Sequence, residues 1–374
     1  MAVEVELLNS YSGFSKLEPF WNKVLEASGE PSIFLSFEWL SNWWRVSGKE
    51  NEILTLIARE EGEIIGLAPL MITRKNALFL WARTLEFAAA PVSDYQDFII
   101  VRNRREVIRA FIRTMLEHSR LWSYFYIRSI REDSENLSLL REVLSEERLA
   151  FRLEEYSMAY FLPLKGSWEE QYGSLKRNAK SDVRRRINRL EREGDLTYFS
   201  IRTKEDIDLF LPVLFDQHKK RWMEKYGVRS RFYDERFEKF VRLIVETGRE
   251  KGFLDFTGLR LNDDVIALHV GLSYHSKFYY YIPTFDLAFR DFSPGKVLIY
   301  HMLKTQSENH VAEFDFLRGE EDYKSGWSEQ YRKLFRLYAS SNTPHGWLML
   351  FWMASARPFL RKLLPKKLRR PLSQ

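Results

Sequence analysis

The sequence predicts an α/β (α+β) protein of two tandem lobes, each a mixed, mostly antiparallel sheet flanked by helices. Three observations predict it. The chain has 374 residues, more than one hydrophobic core usually serves, so two domains are the default expectation. Stretches of period 2 alternate with stretches of helical period. One pattern also occurs twice: LIAREEGEIIGLAPLMI (56–72) aligns with GLRLNDDVIALHVGLSY (258–274). Each reads strand, acidic turn, strand, and is followed by a third strand, a helix and a fourth strand. Duplication is the economical origin of that order. The lobes then span 1–158 and 159–342, with 343–374 as an apolar and basic helical tail. Similar lobes in tandem commonly meet at a cleft, where ligands bind.

The elements follow in order. SFEWLSNWWRV (36–46) has helical spacing, with a serine that can cap it. EILTLIARE (52–60) and IIGLAPLMI (64–72) flank Glu-Gly-Glu, a hairpin signal. ALFLWA and the end of SDYQDFIIV (93–101) are further strands. REVIRAFIRTMLEHS (105–119) is an amphipathic helix, SYFYIRSI (123–130) a strand, and SENLSLLREVLSEE a helix. The second lobe opens with one helical stretch, 167–194, stopped by Gly194. LTYFSIRT is a strand, and two long helices follow it. FLDFTGLRL and VIALHVGLSYH are strands around Asn-Asp-Asp, and KFYYYIPTF is another. GKVLIYHMLKTQSENH is a helix, VAEFDFL a strand, and YRKLFRLYAS the final strand.

Composition narrows the function. The chain is 45% hydrophobic and 15% aromatic, enough to fill large cores. It has no cysteine, which excludes disulfides, thiolate metal sites and a thiol nucleophile and suits a reducing cytoplasm. Lys and Arg number 58 against 52 acids, and the excess is uneven. LKRNAKSDVRRRINRLER (175–192) holds eight basic residues and two acids. RPFLRKLLPKKLRR (357–370) holds seven and none. Such patches attract phosphates of nucleic acid, an anionic membrane or a cofactor. The N-terminus has no basic segment leading into an apolar run, so no signal peptide is expected. GWLMLFWMASA (346–356) falls short of the roughly 20 residues that span a bilayer. It reads as a helix docked on the core or, with the basic tail, as one lying in a membrane interface. The expected location is the cytoplasm, with peripheral attachment to the inner membrane face.

Five constellations could carry chemistry. RDFSPGKVLIYHML (290–303) ends a strand and opens a helix, whose N-terminus favours anions. Gly295 lets backbone approach a phosphate, Ser293 can cap, Pro294 suits the first turn, and Arg290 and Lys296 add charge. The plain alternative is an ordinary helix start. The loop fits neither the Walker nor the Gly-x-Gly-x-x-Gly pattern. In FDFLRGEEDYKSGW (314–327), Asp315 sits on a core strand, where a carboxylate must be paired or functional. Arg318, Glu320, Tyr323 and Lys324 follow, offering bases and a phenolic acid; the alternative is a solvated acidic turn. His269, in an apolar strand, is a catalyst or a hydrogen-bonded core residue. The other histidines show no metal-ligand spacing, and His-Glu-x-x-His is absent. On the basic helix, Lys176, Lys180 and Arg184 share a face, either solvated or anion-binding. AAAPVSDYQDF (88–98), with Asp94 and Tyr95, is the matching turn of the first lobe. Tyr281 is a further substrate-contact candidate on its strand.

Taken in order after the basic helix, GLRLNDDVIALHVGLSY, YYYIPTFDLAFRDFSPGKVLIYHML and FDFLRGEEDYKSGW resemble the GNAT acetyltransferase superfamily. They resemble more closely the CelD-like proteins of cellulose biosynthesis, which share a duplicated GNAT architecture with Fem-type aminoacyltransferases. The resemblance covers about residues 20–340. It implies acyl-CoA as co-substrate, with no metal, and the pyrophosphate on Arg290, Ser293, Pro294, Gly295 and Lys296. That loop keeps one glycine of the family's usual two. Asp315, Gly319, Glu320, Tyr323 and Lys324 match the family's following motif. Tyr323 would protonate the leaving thiolate, while Glu320, Asp315 and His269 compete as the base that takes the amine proton. Lys324, Arg318, Asp94, Tyr95, Tyr281 and Arg184 would contact the acceptor. The first lobe, lacking a phosphate loop, would be degenerate. The expected reaction is N-acylation of a sugar or exopolysaccharide precursor. The alternatives are a Fem-like enzyme using aminoacyl-tRNA and a non-catalytic binding protein of a polysaccharide machine.

Overall fold

Glu61 and Gly62 take positive φ of 51° and 84° and close a tight turn between two strands, as Glu-Gly-Glu predicts. From such hairpins the chain builds two units in the computed structural model, which describes residues 3–47, 51–77, 80–356 and 359. One unit comprises Met1–Ser157 and Lys333–Gln374, the other Met158–Arg332.

The first unit runs β1 (Glu4–Leu8), α1 (Tyr11–Ser15), α2 (Glu18–Ala27), α3 (Phe37–Ser47), β2 (Glu52–Glu60), β3 (Glu63–Ala77), β4 (Leu80–Phe87), β5 (Ile99–Ile100), α4 (Arg104–Glu117), β6 (Tyr124–Arg131) and α5 (Glu135–Glu146). Then β7 (Phe151–Pro163) carries the chain into the second unit. There follow α6 (Trp168–Ser174), α7 (Arg177–Glu193), β8 (Leu196–Ile201), α8 (Lys204–Tyr226), α9 (Glu235–Lys251), β9 (Leu254–Leu261), β10 (Asp264–Tyr274), β11 (Lys277–Phe285), α10 (Pro294–Glu308), β12 (Glu313–Arg318) and α11 (Asp322–Trp327). Within β13 (Tyr331–Ser340) the chain returns to the first unit and ends its described course in α12 (Pro344–Phe351) and a π-turn.

In the first unit the strand order is β1-β2-β3-β4-β6-β13, with β5 beside β3. Only β4–β6 is parallel among these neighbours. In the second unit the order is β7-β12-β11-β10-β9-β8, and β11–β12 is the parallel pair. The first core packs Leu56, Phe87, Phe125 and Ile127 against Phe111 and Ile108 of α4. The second packs Phe278, Tyr280 and Phe314 against Val297, Met302 and Leu303 of α10. Both sheets are mostly antiparallel and flanked by helices, the predicted fold class.

Several elements depart from the expectation. The stretch 167–194 is two helices: Ser167 and Glu170 close a capping box that starts α6, and the backbone turns extended at Leu175 and Lys176, with ψ of 149° and 137°, before α7 begins. β7 was not foreseen. Its consecutive acids Glu154 and Glu155 break the alternation, and its burial is intermediate along most of its length. Residues 333–342 do not belong with 159–332: Leu334, Leu337 and Ala339 complete the first core, and β13 pairs with β6. α12 docks on the first unit through Met349 and Ala354, against Ala82, Tyr124 and Tyr338. The basic tail 357–370, Phe359 apart, lies outside the described residues.

Candidate functional site

The second unit's sheet opens between its parallel strands. β11 and β12 pair at Lys277–Glu313, Phe278–Phe314 and Tyr279–Asp315, then both run on, to Phe285 and Arg318, without pairing. Strands that part in this way leave backbone N–H and C=O groups for another partner.

Past β11, the Asp286 side chain accepts the Ala288 N–H at 2.9 Å and starts a short 3₁₀ turn, Leu287–Phe292. Ser293 then takes the left-handed conformation, φ 52°, and Pro294 opens α10. Cations gather around this helix start. Lys296 Nζ lies 2.9 Å from Asp182 Oδ2 of α7, and Arg186 Nε donates to the same oxygen at 3.0 Å. Arg186 Nη1 also donates to Ser293 Oγ at 2.6 Å. Arg189 donates to the Asp291 carbonyl at 3.3 Å and covers the Phe292 ring at 4.4 Å. Partial burial opposes the charge of Asp182, but hydrogen bonds from Arg186 and Lys296 outweigh it and hold the carboxyl well below the usual range. A Cβ on Gly295 would meet nothing nearer than Phe285 at 3.7 Å, so the backbone there is open to a ligand. Arg290 is exposed and paired with Glu224.

The basic helix therefore serves the loop, through other residues than those singled out. Asp182, Arg186 and Arg189 follow i, i+4, i+7 spacing and form one face. Lys176 pairs with Glu329 at 2.9 Å, Lys180 donates to the Gly173 carbonyl at 2.8 Å, and Arg184 is exposed.

Aromatic rings line the other side of the opening. Tyr280 lies between His269, stacked at 4.4 Å, and Tyr323, 6.4 Å away. Burial raises both phenols well above their ordinary value. The Glu321 carboxylate adds to this and the Arg221 guanidinium opposes it. Both tyrosines thus keep their protons at neutral pH. Arg221 donates to the Pro283 carbonyl at 2.9 Å and sits over the Phe285 ring. Sequence reasoning missed Tyr280 and Arg221; it placed Glu321 among the possible bases of the turn without ranking it with Glu320, Asp315 and His269. Strand alternation alone pointed to Tyr280, which shares a face with Phe278, whereas Tyr281 projects half-buried on the other face.

Two charged side chains of β12 and the turn after it, Asp315 and Lys324, are turned inward. Asp315 Oδ1 accepts the Leu317 N–H at 2.7 Å and pins a bulge at which Leu317 has φ of 61°. Its other oxygen lies 4.0 Å from Arg332, which also binds Glu313. Lys324 is buried and donates to the carbonyls of Leu317 and Arg318 at 3.1 and 2.9 Å, with Glu321 at 2.9 Å. Asp315 and Lys324 thus build the turn. Arg318 is half-buried, Glu320 is exposed, and Tyr323 is half-buried at the opening.

The first unit has the same opening and fills it. β4 and β6 pair over Thr84–Tyr124, Leu85–Phe125 and Glu86–Tyr126 and then part. The Gln96 N–H donates to the Ser129 carbonyl at 2.8 Å, the Arg128 N–H to Gln96 Oε1 at 2.9 Å, and Ser129 Oγ to the Asp94 carbonyl at 2.6 Å. Asp94 and the buried Tyr95 belong to this plug. At the start of α4, Arg102 and Asn103 bind Glu60, and Arg102 also binds Glu63, so carboxylates stand where the second unit gathers cations. Among the described residues no group of three or more His, Asp or Glu could hold a metal ion.

Residues 177–325 match the acetyltransferase (GNAT) domain family. No curated protein matches the sequence. Among solved structures, FemX is similar at a TM-score of 0.63 and 13% identity, over 88% of this chain and 96% of that one. A tandem GNAT protein from the clavulanic acid biosynthesis pathway is similar at 0.52 and 12%, over 91% and 99%. The C-terminal domain of a putative lysylphosphatidylglycerol synthetase from Agrobacterium fabrum is similar at 0.55 and 12%, over 91% and 96%. The fold is GNAT-like.

Proposed function

We propose that the second unit is an N-acyltransferase centre that takes its acyl group from acyl-CoA. We further propose that its acceptor is an amine on a sugar or exopolysaccharide precursor, in the manner of CelD-like proteins. One observation carries the donor assignment: the β11–β12 opening leads to a helix start ringed by Lys296, Arg186 and Arg189, with Gly295 unobstructed. The helix N-terminus and these cations would hold the pyrophosphate, and the free strand edges would hold the amide-bearing arm.

Acyl transfer requires a neutral amine, a held carbonyl and a protonated leaving group. The amine nitrogen forms a bond to the thioester carbonyl carbon, and the carbon–sulfur bond breaks. Tyr323, protonated at neutral pH, gives its proton to the thiolate. A carboxylate takes the amine proton. Glu321, beside the opening, fits this role better than the exposed Glu320, the bulge-bound Asp315 or the enclosed His269. The first unit, its opening plugged, acts as a degenerate copy without a donor site.

The test is calorimetric titration with acetyl-CoA and longer acyl-CoAs, for the wild type and Gly295→Glu. The substitution meets no steric obstacle and places a carboxylate at the phosphate position. Dissociation constants on the order of micromolar, lost in the variant, are expected. Absence of binding with every acyl-CoA overturns the proposal. A second reading, a Fem-like use of aminoacyl-tRNA, draws on Arg177, Arg184 and Arg192, which stay exposed on α7. It requires charged tRNA to bind with steep salt dependence.

A further inference from the structure

We infer that α12 is a membrane-docking helix that seats the protein on an anionic lipid surface. No Asp, Glu, Lys or Arg occurs between Pro344 and Ala356. The inner face of this segment is fixed. Met349 and Ala354 are 1% and 2% exposed against Ala82, Tyr124 and Tyr338. Gly346 lies so near β6 that a Cβ there would come within 2.6 Å of the Ser123 carbonyl oxygen. The outer face is apolar and uncovered: Trp347, Leu348 and Phe351 are 52%, 49% and 64% exposed, at i, i+1 and i+4. These side chains share one side of the helix.

The sequence that follows, 357–370, carries seven cations and no acid. An apolar strip holding a tryptophan, followed in the sequence by a cationic stretch, matches the two layers of a bilayer surface, acyl boundary and anionic headgroups. A second copy of the chain is the poorer occupant, since pairing these faces would bring two such cationic stretches together. The acyl-transfer assignment plays no part in this inference.

The test is co-sedimentation of the full chain with phosphatidylcholine vesicles made with and without phosphatidylglycerol. Binding to the anionic vesicles is expected, weakened by high salt, with a blue shift of tryptophan fluorescence. The combined variant Trp347→Ser, Leu348→Ser, Phe351→Ser removes exposed side chains only, so its thermal unfolding should match the wild type. Its vesicle affinity should fall by about a hundredfold. Lys366→Glu with Lys367→Glu should abolish the preference for phosphatidylglycerol. Failure of the wild type to sediment with anionic vesicles overturns the inference. So does unchanged binding by the serine variant. A concentration-dependent dimer that the serine variant abolishes, without vesicle binding by either form, overturns it in favour of self-association.

Discussion

His269 has no exposed surface, and neither ring nitrogen has a hydrogen-bond partner. It is held by stacking on Tyr280, with interplanar angle 11°, and by Phe278. Burial pushes its pKa down to about 3. Between there and the ordinary value near 6.5 the unfolded chain binds a proton that the folded chain does not. Stability is therefore lost as pH falls through this window. His269→Phe keeps the stack and removes the titration. The variant should match or exceed the wild type at neutral pH and lose less in acid, the difference reaching about 3 kcal/mol near pH 4. His218, pushed to about 3, and His301, pushed to about 4, act in the same direction. Asp97, raised to about 6, acts oppositely, losing its contribution as pH rises through that value. All three cancel in the comparison of variant with wild type, read from denaturant unfolding at the two pH values. Equal acid sensitivity would mean that His269 takes up a proton within the fold.

The turn from β12 into α11 shows what a run of polar residues can be for. Its aspartate fixes a bulge, and its lysine fastens two carbonyls from inside. Lys324→Met should leave the Leu317 and Arg318 carbonyls without their donor and release Glu321. The expected loss is about 2–4 kcal/mol, measured by urea unfolding, with Tyr323 displaced from the opening. A loss within error would mean that water replaces the ammonium and the turn is not anchored by it. This element also marks a limit of sequence reading. Alternation placed Asp315 correctly on a core strand, and cost arguments required it to be paired or functional. The choice between those two depended on Arg332, which comes from another strand and is invisible to local pattern. The hairpins β2–β3 and β9–β10 were legible because both sequence signals, alternation and turn residues, are local. The break between α6 and α7 was not, because helical spacing runs on through Leu175 and Lys176 and no side-chain cap marks the start of α7. Of the candidate site, the helix start at Pro294 was legible from loop chemistry. Its true cationic partners, Arg186 and Arg189, required knowing which face of α7 turns inward.

At the scale of the whole chain, the duplication is legible in the sequence, since 56–72 and 258–274 fold into equivalent hairpins. The destination of each repeat's last strand is not. β7 closes the first repeat in order yet pairs with β12, and β13 closes the second yet pairs with β6. Periodicity specifies a strand and its faces; it does not specify the edge that strand will join. The consequence is testable by ending the chain at Arg332. Such a chain keeps every strand of the second unit's ladder. The first unit loses the partner of β6 along Tyr124–Arg131, together with the buried Leu334, Leu337 and Ala339 and the whole of α12. Removing a single buried leucine side chain costs about 2–5 kcal/mol, and domain stability is commonly about 5–15 kcal/mol. The first unit should therefore fail to fold while the second remains structured. Limited proteolysis read by mass spectrometry should cut throughout 3–157 and spare 158–332. Protection of the first unit's peptides in the shortened chain would show that β6 tolerates an open edge and that the last strand is dispensable to that core. Cleavage throughout both units would show instead that neither folds without the other.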